Sequence, residues 1–345
     1  MAIVALVILL IVLIFVHEMG HFVSAKLTGV KVLEFGLGYP PRMVAIKWRN
    51  TEYSINWLPL GGFVRLLGEE DPTESGSLAG KSIPVRFIVL VSGSLMNLLL
   101  PVLLFTLTFM IPQQVPVGPV VVGSVASGSP AEAAGLKAGD VVLELNGRPM
   151  RNTTELIRNI HLNLGKEVAL LTERDGQKRT VGVIPRWAPP AQEGPLGIQV
   201  PPMQNFTMVQ ESHPLWEAVP LGMRNLVETF QLFRNEVVTW FARRTAPQVT
   251  GPIGIAQATG EVARAGVSPL LSFAAFISIN LGIVNLLPIP ALDGGRLLFL
   301  FIEAIRRGKR ISPQREKLVH FIGFIILITL MVVVSYFDVL RLAGS

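Results

Sequence analysis

Residues 2–26 read AIVALVILLIVLIFVHEMGHFVSAK: an uncharged apolar run from Ala2 to Val16 passes without a turn signal into His17, Glu18 and His21 and reaches Lys26. A helix needs roughly 20 residues to cross the hydrocarbon core of a bilayer. The stretch is therefore expected to span a membrane with ionisable side chains near one end. No Lys or Arg precedes Lys26 and no small-residue cleavage site is evident, so the marks of a secretory signal peptide are missing and the segment is read as a helix of the mature protein.

Three more charge-free apolar stretches follow: Phe87 to Ile111, about Gly266 to Leu292, and Phe321 to Phe337. Composition agrees, because half of the 345 residues are hydrophobic and 16% are charged, against about a quarter in soluble domains. The chain has no cysteine, which excludes disulfides, thiolate ligands and a cysteine nucleophile and leaves His, Asp and Glu for any metal. The net charge of +6 does not point to nucleic acid, since the basic residues lie between apolar spans without aromatic interleaving. Eight Lys and Arg fall between Lys26 and Arg86 and seven between Arg296 and Lys317, whereas 14 are diluted over Pro112 to Val267. By the positive-inside rule the two short basic loops are cytoplasmic. Four spans then place both termini and the long middle region outside the cytoplasm, in a multi-pass protein of the inner (plasma) membrane whose first partner is the lipid bilayer.

Between the first two spans, Val32 to Leu67 is rich in β-branched and aromatic residues and is broken by Gly36, Gly38, Pro40, Pro41, Gly61 and Gly62. This pattern predicts β-hairpins. If they dip into the membrane, protein or an aqueous cavity has to satisfy their backbone. Val120 to about Val200 reads as a small α+β unit with turns at Gly128, Asn146-Gly147 and Asp175-Gly176 and a helix over Thr153 to Leu162. Val219 to Phe241, interrupted by Arg224, Glu228, Arg234 and Glu236, predicts an amphipathic helix on the membrane surface.

In His17-Glu18-Met19-Gly20-His21 the two imidazoles stand one helical turn apart on one face, where both can ligate zinc, with Glu18 beside them as a general base. The HExxH pattern also occurs by chance, as two interfacial histidines at a helix end. A cluster of ionisable groups at the end of a membrane span is costly, however, and marks a functional site. The third span closes in NLLPIPALDGG, residues 285–295, which puts Asp293 after two prolines. Asp293 can supply a third ligand and leave a fourth position open for water. It can equally cap the segment that begins at Gly294.

Together the two motifs resemble the site-2 protease family of intramembrane metalloproteases, and nearly the whole chain is similar to its bacterial regulator-of-sigma-E type. The likeness includes HEMGH, GGFVRLLGE at residues 61–69, Gly93 and Asn97 in the second span, and NLLPIPALDGG. It implies a Zn2+ enzyme in which His17, His21 and Asp293 are ligands and Glu18 is catalytic. Single-pass membrane proteins are the implied substrates, such as an anti-sigma factor or signal-peptide remnants. Asn280 and Asn285 are implied to hold substrate or the catalytic centre. Separately, the strand-like composition around Gly61, Gly62 and Phe63, within Gly61 to Leu67, suggests that this segment pairs with an unwound substrate by strand addition. GSPAEAAGLKAGD, residues 128–140, resembles a bacterial PDZ domain, and Leu196, Gly197 and Ile198 are similar to the loop that receives a peptide carboxylate in permuted versions. One such domain is evident, where the best-known relatives carry two in tandem.

The expected architecture is thus a multi-pass α-helical membrane protein with four transmembrane helices, membrane-associated β-hairpins and an inserted extracytoplasmic PDZ domain. Residues 1–111 hold the first two spans and the hairpins, 116–200 the PDZ domain, 205–265 an extracytoplasmic linker with the amphipathic helix, and 266–345 the last two spans. A transporter or a membrane-anchored PDZ adaptor with a non-catalytic metal site are the alternatives. No paired repeat of the interrupted span supports the first. The intact Glu18 argues against the second.

Overall fold

The N-terminal apolar run forms helix α1, Ala2–Leu27, in the computed structural model of the chain, which describes residues 2–69, 71, 73–244 and 250–343. The helix stops where Gly29, at φ +70°, takes the left-handed conformation and Val30 N–H bonds back to Ala25 O. Strands β1 (Val32–Trp48) and β2 (Thr51–Leu66) follow, then helix α2 (Ile83–Met110). Phe35 pairs with Val64 on one side and with Tyr53 on the other, while Arg42 to Trp48 closes onto Thr51 to Asn56. The two long strands therefore form one folded sheet instead of separate hairpins. Register shifts from Leu37 to Tyr39 to Arg42 bracket Gly38, Pro40 and Pro41, residues that weaken a regular ladder.

Contacts divide the chain into two units, Met1–Thr108 with Val249–Ser345, and Phe109–Gln248. The second unit begins with β3 (Gln113–Val117), β4 (Val120–Val121), β5 (Ser124–Val125), α3 (Pro130–Ala133), β6 (Val141–Leu145) and β7 (Arg148–Pro149). It continues with α4 (Thr153–Leu162), β8 (Val168–Arg174), β9 (Gln177–Val183), β10 (Ile198–Gln199), β11 (Thr207–Glu211) and α5 (Leu215–Arg243). Its main sheet runs β4-β6-β8-β9, with β7 paired to β6. The turns are those the residues demand: Asn146-Gly147 and Asp175-Gly176 both have positive φ at two successive positions, as tight hairpins require. Helix α4 starts at an Asn152 cap, whose side chain accepts the Glu155 N–H at 2.9 Å. Val142, Leu145, Leu156, Ile160, Val168, Leu170 and Leu196 form the core beneath it. Truncating a fully buried residue of this kind, such as Leu156, costs about 2–5 kcal/mol.

Helix α5 packs along α4. Asn235 Nδ2 donates to His161 O at 2.7 Å and Leu162 O at 3.2 Å, satisfying carbonyls at the end of α4. Glu228 is gripped by Arg148, Arg158 and Arg224. Burial opposes its charge, but these guanidiniums hold its carboxyl below the ordinary range.

The first unit resumes with α6 (Pro252–Ala265), α7 (Val267–Leu286), α8 (Asp293–Ile305) and α9 (Pro313–Ala343). Among the described residues α1, α2, α7 and Pro313–Arg341 of α9 are long and apolar enough to cross a membrane. The third span ends at Leu286, short of the expected Leu292, because Pro288 and Pro290 cannot continue the ladder. The fourth helix extends beyond Phe321 and Phe337 at both ends, since the charged residues that bound the apolar run are still good helix formers. The expected linker contains the additional helix α6, and residues 245–249 of that linker lie outside the described residues.

Small side chains set the approach of the spans, as in lipid-embedded bundles. A Cβ on Gly20 would fall 2.3 Å from Ser92 O, and one on Gly282 would fall 2.7 Å from Leu98 Cδ2. Ser24 and Ser92 share a hydrogen bond at 2.7 Å, and Ser278 Oγ donates to Asn97 O at 2.7 Å.

Candidate metal centre

His17 and His21 share one face of α1 with their Nε2 atoms 3.3 Å apart. Asp293 Oδ2 lies 3.0 Å from His17 Nε2 and 3.2 Å from His21 Nε2, although 272 residues separate it from the nearer histidine in sequence. Tetrahedral zinc with bonds of about 2.0–2.1 Å sets its ligand atoms roughly 3.3–3.4 Å apart. The three atoms therefore already stand close to the spacing the ion requires. Three acceptor-capable atoms converging on one point without a cation is otherwise an unfavourable arrangement.

Helix α2 builds the cradle. A Cβ on Gly93 would lie 2.3 Å from His21 Nε2 and 2.8 Å from His17 Nε2, so a side chain there would crowd the point on which the imidazoles converge. Only hydrogen leaves the room. His21 Nδ1 donates to Val89 O at 2.8 Å, which puts the proton on Nδ1 and frees the Nε2 lone pair. The Asn97 amide faces His17 Nδ1 at 3.4 Å, is fully buried, and has an oxygen without a partner. Turned so that this oxygen accepts Nδ1–H, the amide would select the metal-binding tautomer of His17 as Val89 does for His21. The donor set, its spacing and these outer partners fit zinc.

The motif that carries Asp293 folds back upon itself. A Cβ on Gly294 would fall 2.0 Å from Leu287 O, and one on Gly295 would fall 2.6 Å from Ile289 O, so the two glycines let the loop lie against the start of α8. Leu292 is the cap residue of α8, and no side chain caps this helix end. The carboxylate of Asp293 is thus turned to the imidazoles and not spent on capping.

Glu18 is covered by β2. A Cβ on Gly62 would lie 3.2 Å from Glu18 Cγ, so the strand passes directly over the Glu18 side chain. Of the residues expected to handle substrate, Gly62 thus lies at the centre, while Gly61 (φ +100°) packs against Tyr39 and Phe63 stacks on it at 6.5 Å. Asn280 Nδ2 donates to Phe276 O within its own helix, and Asn285 makes no side-chain hydrogen bond among the described residues. Neither is bonded to His17, Glu18, His21 or Asp293. In the second unit the Leu196 side chain is buried in the core, so at that position only backbone is left to meet a peptide. Gly197 has φ +76° and a Cβ on it would fall 2.3 Å from Ser129 Cβ, while Ile198 pairs with Val125.

Sequence reasoning marked Gly93 and Asn97 without a role and missed Val89 and Ser92. The available signal was the i, i+4 spacing of Gly93 and Asn97, which puts both on one face of α2.

A family model described as Peptidase family M50 matches residues 5–330. The zinc metalloprotease RasP of Geobacillus kaustophilus is 33% identical over 414 aligned residues, covering 95% of this chain and 95% of its own. The regulator of sigma-W protease RasP of Bacillus subtilis is 31% identical and covers 99% of this chain and 98% of its own. Among solved structures, the PDZ domain of the SdrC-like protein from Listeria innocua is 25% identical and covers 24% of this chain and 93% of that one, with a TM-score of 0.22.

Proposed function

The chain belongs to peptidase family M50, and we propose that it cuts the transmembrane segments of single-pass membrane proteins, with His17, His21 and Asp293 holding zinc and Glu18 moving the proton. It is a zinc metalloendopeptidase of the site-2 type and a protein of the inner membrane. The observation that carries the residue assignment is the convergence of three ligand atoms beside Glu18 on elements of the membrane-spanning unit.

When bound, zinc supplies a Lewis acid that lowers the pKa of water to about 7 and polarises a peptide carbonyl. Glu18, with Gly62 against it, takes a proton from the attacking water and returns it to the leaving amine nitrogen. A helical substrate resists attack because its carbonyls are bonded within the helix, so the segment has to unwind. The arm of β2 from Gly61 to Leu66 offers backbone for strand addition beside Glu18, and Asn285 offers an amide for the freed backbone groups. Unchanged cleavage after substitution of Gly61 or Asn285 would refute that step.

The basic loops argue for cytoplasmic ends of the spans at Lys26 to Arg86 and Arg296 to Lys317, with the termini and the PDZ-like second unit extracytoplasmic. Trp216, Met223, Val227 and Phe241, all exposed on α5, suit a membrane surface. The PDZ-like unit screens substrates that another protease has already trimmed, as anti-sigma factors or signal-peptide remnants would be. It does so through the backbone around Gly197 or by bulk, and titration with C-terminal peptides separates the two. Efficient cleavage of an untrimmed substrate counts against prior trimming.

The deciding experiment compares purified wild type with Glu18→Gln on a helical membrane substrate in detergent, with zinc content assayed in both. Cleavage by wild type alone, with zinc retained in Glu18→Gln, supports the assignment. Equal cleavage by both removes Glu18 from the mechanism.

A further inference from the structure

The loop between α7 and α8 has to deliver Asp293 to the imidazoles, and its backbone hydrogen bonds show what holds it there. Pro288 and Pro290 have no N–H. Leu287 N–H bonds to Val284 O, Ile289 N–H to Leu287 O and Leu292 N–H to Ile289 O, so these donors are satisfied locally. Ala291 differs: its N–H reaches across 29 residues to Nδ1 of His320 on α9, at 2.9 Å. Ala291 also has φ +77°, in the left-handed region that alanine rarely adopts. Something outside the loop has to hold that conformation.

His320 also touches the chain on the far side of the ligand. A Cβ on Gly295 would lie 3.2 Å from His320 Cε1, and the His320 ring lies 5.6 Å from that of Phe299 on α8. The side chain is therefore bonded to the residue two before Asp293 and stands where a side chain on the residue two after it would go. One turn along α9, a Cβ on Gly323 would fall 2.4 Å from Pro290 Cβ, so α9 lies directly against the same loop.

We infer that His320 is a positioning residue for Asp293: its Nδ1 anchors the Ala291 peptide, holds the loop in its left-handed turn, and so fixes where the carboxylate arrives between His17 and His21. Ala291 is exposed, so what the contact supplies is the geometry of the turn and not the burial of a donor. Without the acceptor the loop relaxes toward another partner and carries Asp293 with it. The inference rests on Asp293 being a zinc ligand.

The test uses the full chain in detergent and three variants. His320→Leu removes the acceptor, His320→Asn puts an amide oxygen near the place of Nδ1, and Asp293→Asn checks the ligand itself. Zinc affinity is read by competition with a chromogenic chelator, alongside kcat, KM and the thermal unfolding midpoint. Loss of an outer partner of a metal ligand lowers metal affinity about 10–100-fold. That loss is expected for His320→Leu, with kcat falling and KM little changed, and recovery to near the wild-type affinity is expected in His320→Asn. Wild-type zinc affinity in His320→Leu overturns the inference. So does an equal loss in both His320 variants, which would assign the effect to ring bulk against Phe299. If Asp293→Asn keeps zinc with wild-type affinity, the ligand assignment itself fails. If Asp293→Asn loses zinc and His320→Leu does not, only the role of His320 fails.

Discussion

Adding a single methyl group at Gly93 is the sharpest perturbation of the metal centre. In Gly93→Ala the new Cβ would stand 2.3 Å from His21 Nε2, 2.7 Å from His21 Cδ2 and 2.8 Å from His17 Nε2. Ordinary van der Waals contact begins at 3.4 Å, so the His21 ring has to withdraw by roughly 1 Å. It has little freedom to do so, because its Nδ1 is bonded to Val89 O on the same helix that carries the new methyl. Overpacking of this kind costs about 1–3 kcal/mol. Charged against ligand geometry, that is a loss of roughly five- to 150-fold in zinc affinity, and misplacement by about 1 Å lowers turnover by about 100-fold. The assay is chelator competition together with cleavage of a helical substrate. Gly282→Ala is the packing control, since its Cβ would meet Leu98 Cδ2 at 2.7 Å and Ser94 O at 3.0 Å, away from the imidazoles. It should lower the melting midpoint and keep zinc. Gly93→Ala that binds zinc and turns over as wild type does would refute the placement of the imidazoles beneath α2.

Two further outcomes follow from buried charge. Arg86 meets Glu303 at 2.9 and 2.5 Å, both nearly buried, and Arg310 adds a second guanidinium at 3.2 Å. Glu303→Leu strands two cations and should cost about 3–5 kcal/mol, Arg86→Met should cost less because Arg310 stays on Glu303, and the double variant should recover most of the loss; thermal melts in detergent would show whether this order holds. In the second unit Asp140 is buried, and hydrogen bonds from the Arg174 guanidinium hold its carboxyl below the ordinary range. A depressed carboxyl contributes stability above its unfolded pKa of about 3.9 and loses it as pH falls through the lower folded value. Asp140→Asn should therefore be less stable at pH 7, by about 1.5–3 kcal/mol, and the difference should shrink as pH falls below the ordinary carboxylate range and through the lower folded value. Hydrogen exchange of the second-unit amides in the full chain measures it, and equal protection at pH 7 would show that the pair contributes nothing.

The parts of this protein legible in its sequence are those in which one element carries the whole signal. HEMGH is such a case, because helical periodicity alone places His17 and His21 on one face, and so is Thr153–Leu162, bounded by its own cap. Asp293 was legible as chemistry but not as geometry: the residue type suited both a ligand and a helix cap, and the contact that separates the two spans 272 residues. The span ends were misjudged where hydropathy and backbone donors disagree. Leu287 to Leu292 are apolar enough to continue a helix, yet two of the six residues lack an N–H, and the stretch becomes the loop that presents the third ligand. The least legible layer is the one around the imidazoles. It consists of a backbone carbonyl at Val89, the missing side chain of Gly93 and an amide at Asn97, and the His320 ring bonded to the loop that carries Asp293 is no easier to read. A carbonyl has no letter of its own, and a glycine in a span reads equally as a packing site. Chemistry that depends on ligand distances held to within about 0.2 Å is therefore controlled by groups whose identity the chain records only as small or polar. Substitutions at those positions, more than at the ligands, test whether the fold holds the metal in the way described.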